Sequence, residues 1–181
     1  MRRALLPLVI CTTFAIYGCA TDTKPDPTYE QAASDRFVPS NYRAAEALMA
    51  QINERIAPGN PLIIATVVNI DALEQSSTLG RLISEQVSSR FSRAGYRMIE
   101  MKFRNSVYVK QNQGELVLTR EIKDLAISHQ ARAVIVGTYG AADDMVFLNL
   151  KVIDPASNVA LAAHDYVLPR DAAMRSLLRG R

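Results

Sequence analysis

The chain has 181 residues, 49% of them hydrophobic and 22% charged, with a formal net charge of +3. That balance excludes a disordered chain and two full-sized domains, and leaves one globular domain with short additions. Without Arg2 and Arg3, nineteen Lys and Arg face eighteen Asp and Glu, a net charge of +1 that gives no support to nucleic-acid binding.

Those two arginines open a stretch with the layout of an export signal. Fifteen uncharged, mostly apolar residues (ALLPLVICTTFAIYG) follow them and end at Gly18. The run is shorter than the ~20 residues a membrane-spanning helix needs, and Pro7 weakens it as a helix. Residues 1–18 are therefore expected to be a signal peptide and the mature chain an exported, non-spanning protein. The stretch Ile16-Tyr17-Gly18-Cys19 resembles the lipobox of bacterial lipoproteins. Ile16, Gly18 and Cys19 match it, whereas Tyr17 is bulkier than the usual residue. Cleavage there removes Cys11 and leaves Cys19 as the first mature residue and sole thiol. No internal disulfide can then form, even in an oxidising compartment. Cys19 is the expected lipid-attachment site, diacylated on sulfur and acylated on nitrogen; the alternative is a simple signal cut elsewhere and a spare thiol. Ala20 stands where lipoproteins retained at the inner membrane carry Asp, so the lipobox resemblance implies outer-membrane sorting.

Residues 19–39 hold three prolines and little periodicity, and read as a lipidated terminus followed by a semi-extended tether. The domain is expected over 40–169. Ser40 is its first N-cap candidate, and Tyr42, Ala45, Leu48, Met49, Ile52 and Ile56 recur at helical spacing until Pro58-Gly59-Asn60-Pro61. LIIATVVNI (62–70) predicts one strand buried on both faces. Leu79, Leu82, Ile83, Val87, Phe91 and Ala94 predict a second helix ending at Gly95, and YRMIEM (96–101) a second strand. A third helix starts near Thr119, with Ile122, Leu125, Ala126 and His129 on its inner side, and AVIVGTY (133–139) is another buried strand. Val146, Leu148, Leu150 and Val152 alternate with Phe147, Asn149 and Lys151. A turn at Pro155-Ala156-Ser157-Asn158 leads into VALAAHDYVL, a closing hairpin. Right-handed crossovers make this an α/β fold: a mixed sheet of about five strands, from three parallel βα units and a C-terminal antiparallel hairpin, with about three helices. Residues 170–181 crowd Arg170, Arg175, Arg179 and Arg181 into a basic tail, suited to anionic lipid or glycan or simply solvated.

Signals for chemistry are sparse. Neither a P-loop nor GxGxxG occurs, nor GxSxG or SxxK. Ser76, Ser77 and Thr78 precede the second helix and can offer a helix-start anion or partner contact; N-capping explains the same residues. His129 and His164 lie on different elements without a third ligand, which gives zinc no support. His129 reads as a packed or half-exposed residue, and Asp143-Asp144 as a turn. No catalytic residue, metal or cofactor is expected.

Three blocks, VNIDALEQSSTLGRLISEQVSSRFSRAGYRMIEMKFR, VKQNQGELVLTREIKDLA and ARAVIVGTYGAADDMVFLNLKVIDPASNVALAAHDYVLP, closely resemble the FlgO-like family of outer-membrane proteins. The resemblance runs from about Phe37 to Pro169. It implies an exported lipoprotein or envelope protein of Gram-negative bacteria, in some members associated with the flagellum at the outer membrane and needed for motility. It also implies a fold like the amino-terminal α/β module of TolB. The implied partners are the outer-membrane lipid anchor, envelope or flagellar ring proteins and further copies of the chain, with no nucleic acid and no catalytic residues. A general envelope lipoprotein that recruits or activates a cell-wall or secretion machine is the alternative.

Overall fold

The computed structural model describes residues 27–100, 108–110 and 116–179, in two units divided after Ser34. Cys19 lies outside the described residues. In the first unit Tyr29–Ala33 form a short helix, α1, inside the stretch expected to be extended. The Gln31 N–H donates to Thr28 Oγ1 at 3.2 Å and the Thr28 N–H donates to Gln31 Oε1 at 3.0 Å. This reciprocal T-x-x-Q cap forms within a stretch whose prolines and lack of periodicity pointed to an extended tether.

The second unit begins with α2 (Phe37–Ile52), three residues ahead of the Ser40 cap that the sequence suggests. The Asp35 carboxylate accepts the Phe37 N–H at 2.6 Å. Pro39 is the third helical residue, where the backbone has no intrahelical use for an N–H, so the ring fits. The predicted strand over 62–70 is two segments, β1 (Pro61–Ile64) and β2 (Val68–Asn69), and β2 turns back into β3 (Ala72–Ser76). Then follow α3 (Thr78–Arg93) and β4 (Arg97–Glu100), close to expectation. A small separate hairpin, β5 (Tyr108–Lys110) and β6 (Leu116–Leu118), was not anticipated. The helix α4 (Arg120–Ser128) and strands β7 (Ala133–Ala141), β8 (Met145–Ile153) and β9 (Ala160–Pro169) complete the expected order. Where a basic tail was expected, Ala172–Leu178 form α5. Asp171 caps it by accepting the Met174 N–H at 2.8 Å, and the Met174 side chain enters the core.

β1 and β2 occupy one line of the sheet. Both run parallel to β7; on their other side β1 pairs with β4 in parallel and β2 with β3 antiparallel. β8 and β9 add antiparallel strands beyond β7. The seven strands of this sheet share five positions, where the sequence predicts about five strands. Leu48 of α2, Ile83 and Phe91 of α3 and Met174 of α5 pack with Leu62, Ile64, Ile135 and Leu150 on one face of the sheet. Ile122 and Ala126 of α4 pack with Ile63, Val134 and Val136 on the other. Alternate residues of each strand thus serve opposite layers. Among the described residues α4 and Leu118 of β6 pack on the second face and cover part of it.

The break between β1 and β2 is a bulge. Ile64 pairs with Ile135 and Val68 with Thr138, so three residues of one strand stand against two of the other. One extra residue reverses the facing of everything after it. Ile63 and Ala65 face α4, Val67 faces the opposite layer, and Val68 faces α4 again. The bulge leaves backbone groups without ladder partners, and Ser84 of α3 supplies them. Its Oγ accepts the Val67 N–H at 2.9 Å, and its hydrogen is shared between the Ala65 and Gly80 carbonyls at 3.2 and 2.9 Å.

A buried polar chain ties the helices to β9. Asn41 is fully buried; its Nδ2 donates to Gln86 Oε1 at 2.6 Å and its Oδ1 accepts the Tyr166 hydroxyl at 2.5 Å. Burial pushes the Tyr166 phenol well above its ordinary value. The folded state therefore holds the phenolic proton more tightly than the unfolded chain, and this contribution is complete below about pH 10 and lost as pH rises further. The unfolding free energy is expected to fall above about pH 10, less steeply in Tyr166→Phe, as urea unfolding across that range will read.

Candidate functional site

Beyond the cover of α4, the second sheet face carries a row of exposed apolar side chains. Ile70 follows β2, held by its N–H donating to the Tyr139 carbonyl at 2.9 Å. Gly140 of β7 stands opposite Phe147 of β8, and Phe147 opposite Val167 of β9. Ile70, Phe147 and Val167 are 46%, 54% and 48% exposed, and Met145 extends the row. Exposure this high on neighbouring β8 and β9 and at the end of β2, with Gly140 of β7 between, marks a surface suited to being covered. Gly140 lacks a side chain between Ile70 and Phe147, and the result is a trough of about 450 Å³. Its other wall is polar: Thr138, Asn149 and Asp165, with Asn149 Nδ2 donating to Asp165 Oδ1 at 2.6 Å. Asn149 thus belongs to a partly wet face, as the alternation of β8 suggests.

The trough opens onto an edge of the sheet, since among the described residues β9 pairs only with β8. Gln51 of α2 closes that edge at one residue. Its Nε2 donates to the Ala163 carbonyl at 3.0 Å and its Oε1 accepts the Ala163 N–H at 3.2 Å. Antiparallel alternation sends the N–H and C=O of Asp165 and Val167 to the same side as those of Ala163, where no helix amide meets them. An edge blunted at one end and open beside an apolar trough is suited to accepting a strand. Gln51→Ala is expected to raise self-association, measured by sedimentation velocity over a concentration series, because the Ala163 N–H and C=O join those of Asp165 and Val167 as free edge groups. A purely monomeric variant at every concentration contradicts this role for Gln51.

The residues singled out in the sequence lie elsewhere. Ser76 ends β3, Ser77 is the N-cap of α3 and Thr78 its first residue. The Ser77 Oγ is buried and accepts the Gly80 N–H at 3.1 Å, while Thr78 Oγ1 accepts from Arg81 at 3.1 Å. These oxygens are engaged in forming the helix start. His129 is exposed as the C-cap of α4, not packed inside as its position on the helix pattern suggests, because the helix ends one residue before it. His164 stacks on Tyr166 with ring centroids 6.0 Å apart. Of the C-terminal arginines, Arg170 donates to the Ala142 carbonyl at 2.9 Å and Arg175 to the Arg170 carbonyl at 2.7 Å, so both brace the chain end. Arg181 lies outside the described residues. The apolar row was missed as a site because Phe147 and Val167 look like ordinary strand residues; the outward parity of Phe147 on β8 was the available signal.

Among the described residues no helix is long and apolar enough to cross a membrane. No curated protein matches the chain. The C-terminal domain of LpoB from Salmonella enterica is similar in fold, with a TM-score of 0.51 at 8% identity over 71% of this chain and 97% of that one. The same domain from Escherichia coli gives 0.45 at 10% identity over 68% and 96%. Lipoprotein GNA1162 from Neisseria meningitidis gives 0.43 at 11% identity over 63% and 85%. The family model described as FlgO protein matches residues 42–173, which takes in α3, the β7–β9 face and the capped start of α5. The chain belongs to the FlgO protein family.

Proposed function

We propose that this protein is a non-enzymatic outer-membrane lipoprotein, anchored through Cys19, that supports assembly or stability of the flagellum at the outer membrane by binding envelope proteins. The observation that carries the binding role is the exposed row Ile70, Phe147 and Val167 beside the open part of the β9 edge. Family membership supports the flagellar setting. The domain faces the periplasm, and the tether gives it reach from the anchor.

Phe147→Asp combined with Val167→Asp puts two charges into the row without touching the core on the opposite face. This variant is expected to fall by about tenfold or more in purified flagellar basal bodies, as loss of a central apolar anchor does. Its thermal midpoint should stay close to that of the parent. Basal-body content equal to the parent's removes this face from the proposal. If the parent itself is spread evenly through the outer membrane, the flagellar role fails and a general envelope lipoprotein serving a cell-wall or secretion machine takes its place. Intact-mass analysis of detergent-extracted protein tests the anchor: an unmodified N-terminus contradicts acylation of Cys19.

A further inference from the structure

At the end of the sheet where β1, β4 and β7 begin, remote along the strands from the apolar row, lies an open cleft of about 840 Å³. Four cations line it: Arg55 after α2, Arg97 at the start of β4, Lys123 on α4 and Arg132 before β7. Asp154 is the one carboxylate among its lining residues. Over residues 35–179 the chain has seventeen Lys and Arg against fifteen Asp and Glu, so carboxylates to neutralise the cleft were at hand. Yet the ion pair found among the described residues is Arg90 with Glu46 at 2.7 Å, on other surfaces. Asp154 is committed to its own turn, accepting the Ala156 N–H and the Ser157 hydroxyl, each at 2.9 Å. These bonds, with the Arg132 charge beyond them, hold its carboxyl below the usual range. Four cations around one carboxylate that is committed to its own turn leave an excess of positive charge, and a bound anion offsets it.

The wall formed by the end of α4 carries an independent sign. α3 and α4 end in the same way, with the second residue past the cap bonding five residues back: Tyr96 N–H to the Phe91 carbonyl at 3.2 Å, and Ala131 N–H to the Ala126 carbonyl at 2.8 Å. Both motifs need a left-handed residue. α3 uses Gly95 at φ 92°, whereas α4 uses Gln130 at φ 53°, a conformation that disfavours a side chain. Gln130 is among the residues that line the cleft. The local backbone is fixed besides, by the Arg132 N–H donating to the Pro61 carbonyl at 2.8 Å. A glycine suits this conformation better, and the glutamine in its place adds an amide donor to the cleft wall.

We infer that this cleft is a binding site for a phosphate-bearing anion, held by Arg55, Arg97, Lys123 and Arg132 with Gln130 as a neutral donor. Guanidinium forks suit phosphate oxygens, and the volume falls in the range of small-ligand sites rather than of a single ion. The ligand is a soluble phosphate compound or a phospholipid headgroup; both present the same group to the cleft.

The full chain in neutral detergent is titrated with pyrophosphate against sodium chloride of equal ionic strength, reading the thermal midpoint. A parallel series adds phosphatidylglycerol or phosphatidylcholine to the micelles. The expected result is a saturable rise of the midpoint, with an apparent affinity weakened about tenfold or more in Arg97→Glu. Arg81→Glu, an equal charge change outside the cleft, should behave as the parent. Gln130→Gly should raise the midpoint without ligand and reduce the ligand-induced rise. A rise with pyrophosphate identifies a soluble anion, and a rise confined to phosphatidylglycerol micelles identifies a headgroup. No rise with either, or an equal loss in Arg97→Glu and Arg81→Glu, overturns the assignment.

Discussion

Gly80→Ala is expected to destabilise the domain by about 3 kcal/mol or more, at the upper end of what overpacking costs. A Cβ at this position lies 1.9 Å from the carbonyl oxygen of Val67, inside any attainable contact. The obstacle is backbone, at the bulge between β1 and β2, so no side-chain rotation relieves it. To admit a methyl group, α3 must lift from the sheet. That separates Leu79, Ile83 and Val87, all fully buried, from the sheet residues beneath them. Urea unfolding followed by far-ultraviolet circular dichroism measures the loss. A midpoint within experimental error of the parent's contradicts the close approach of α3 to Val67. The consequence extends to the surface, because α3 fixes the bulge and the bulge sets which way Ile70 faces. A folded Gly80→Ala chain should therefore also bind envelope partners less well.

Ser84→Ala attacks the same junction by chemistry instead of volume. The Val67 N–H, in a residue 1% exposed, then has no acceptor, and the Ala65 carbonyl loses a donor. Leaving such a buried donor unmet costs about 1–3 kcal/mol, more than the net value of an ordinary hydrogen bond. The urea midpoint should drop with an unchanged slope, and the Val67 amide should exchange its hydrogen faster than those of neighbouring β1. Unaltered exchange at Val67 contradicts the role assigned to the serine. Because Gly80 and Ser84 act on one bulge, the double variant should cost less than the sum of the two.

These two residues are the G and third S of SSTLGRLISEQ, a stretch whose leading serines and threonine read in sequence as an anion-binding helix start. In the fold Ser77 caps the helix, Gly80 lets it approach the sheet and Ser84 completes the bulge. The motif's physical content is a helix-to-sheet joint. Its effect on function runs through Ile70: strict alternation along residues 62–70 places that side chain with Leu62 and Ile64 under α2 and α3, and the extra residue sends it into the trough.

What the sequence by itself determined is the architecture. Periodicities of 3.6 and 2 are local, so α2, α3, α4 and the β8–β9 hairpin were legible from runs such as Leu79 to Ala94 and Val146 to Val152. The small elements were not, because α1, β3, α5 and the β5–β6 pair are too short for a period to emerge among prolines, serines and arginines. Only the tertiary structure decided the rest, since each feature joins residues that the chain keeps apart. Gln51 closes the edge at Ala163 across 112 positions, and Asn41 meets Tyr166 across 125. The four cations of the cleft come from four separate stretches of the chain. Side-chain pattern specifies which face of an element is apolar, but whether an apolar face stays uncovered depends on how many helices reach it. Among the described residues one helix covers the second face, and that packing outcome makes Phe147 and Val167 a surface instead of a core.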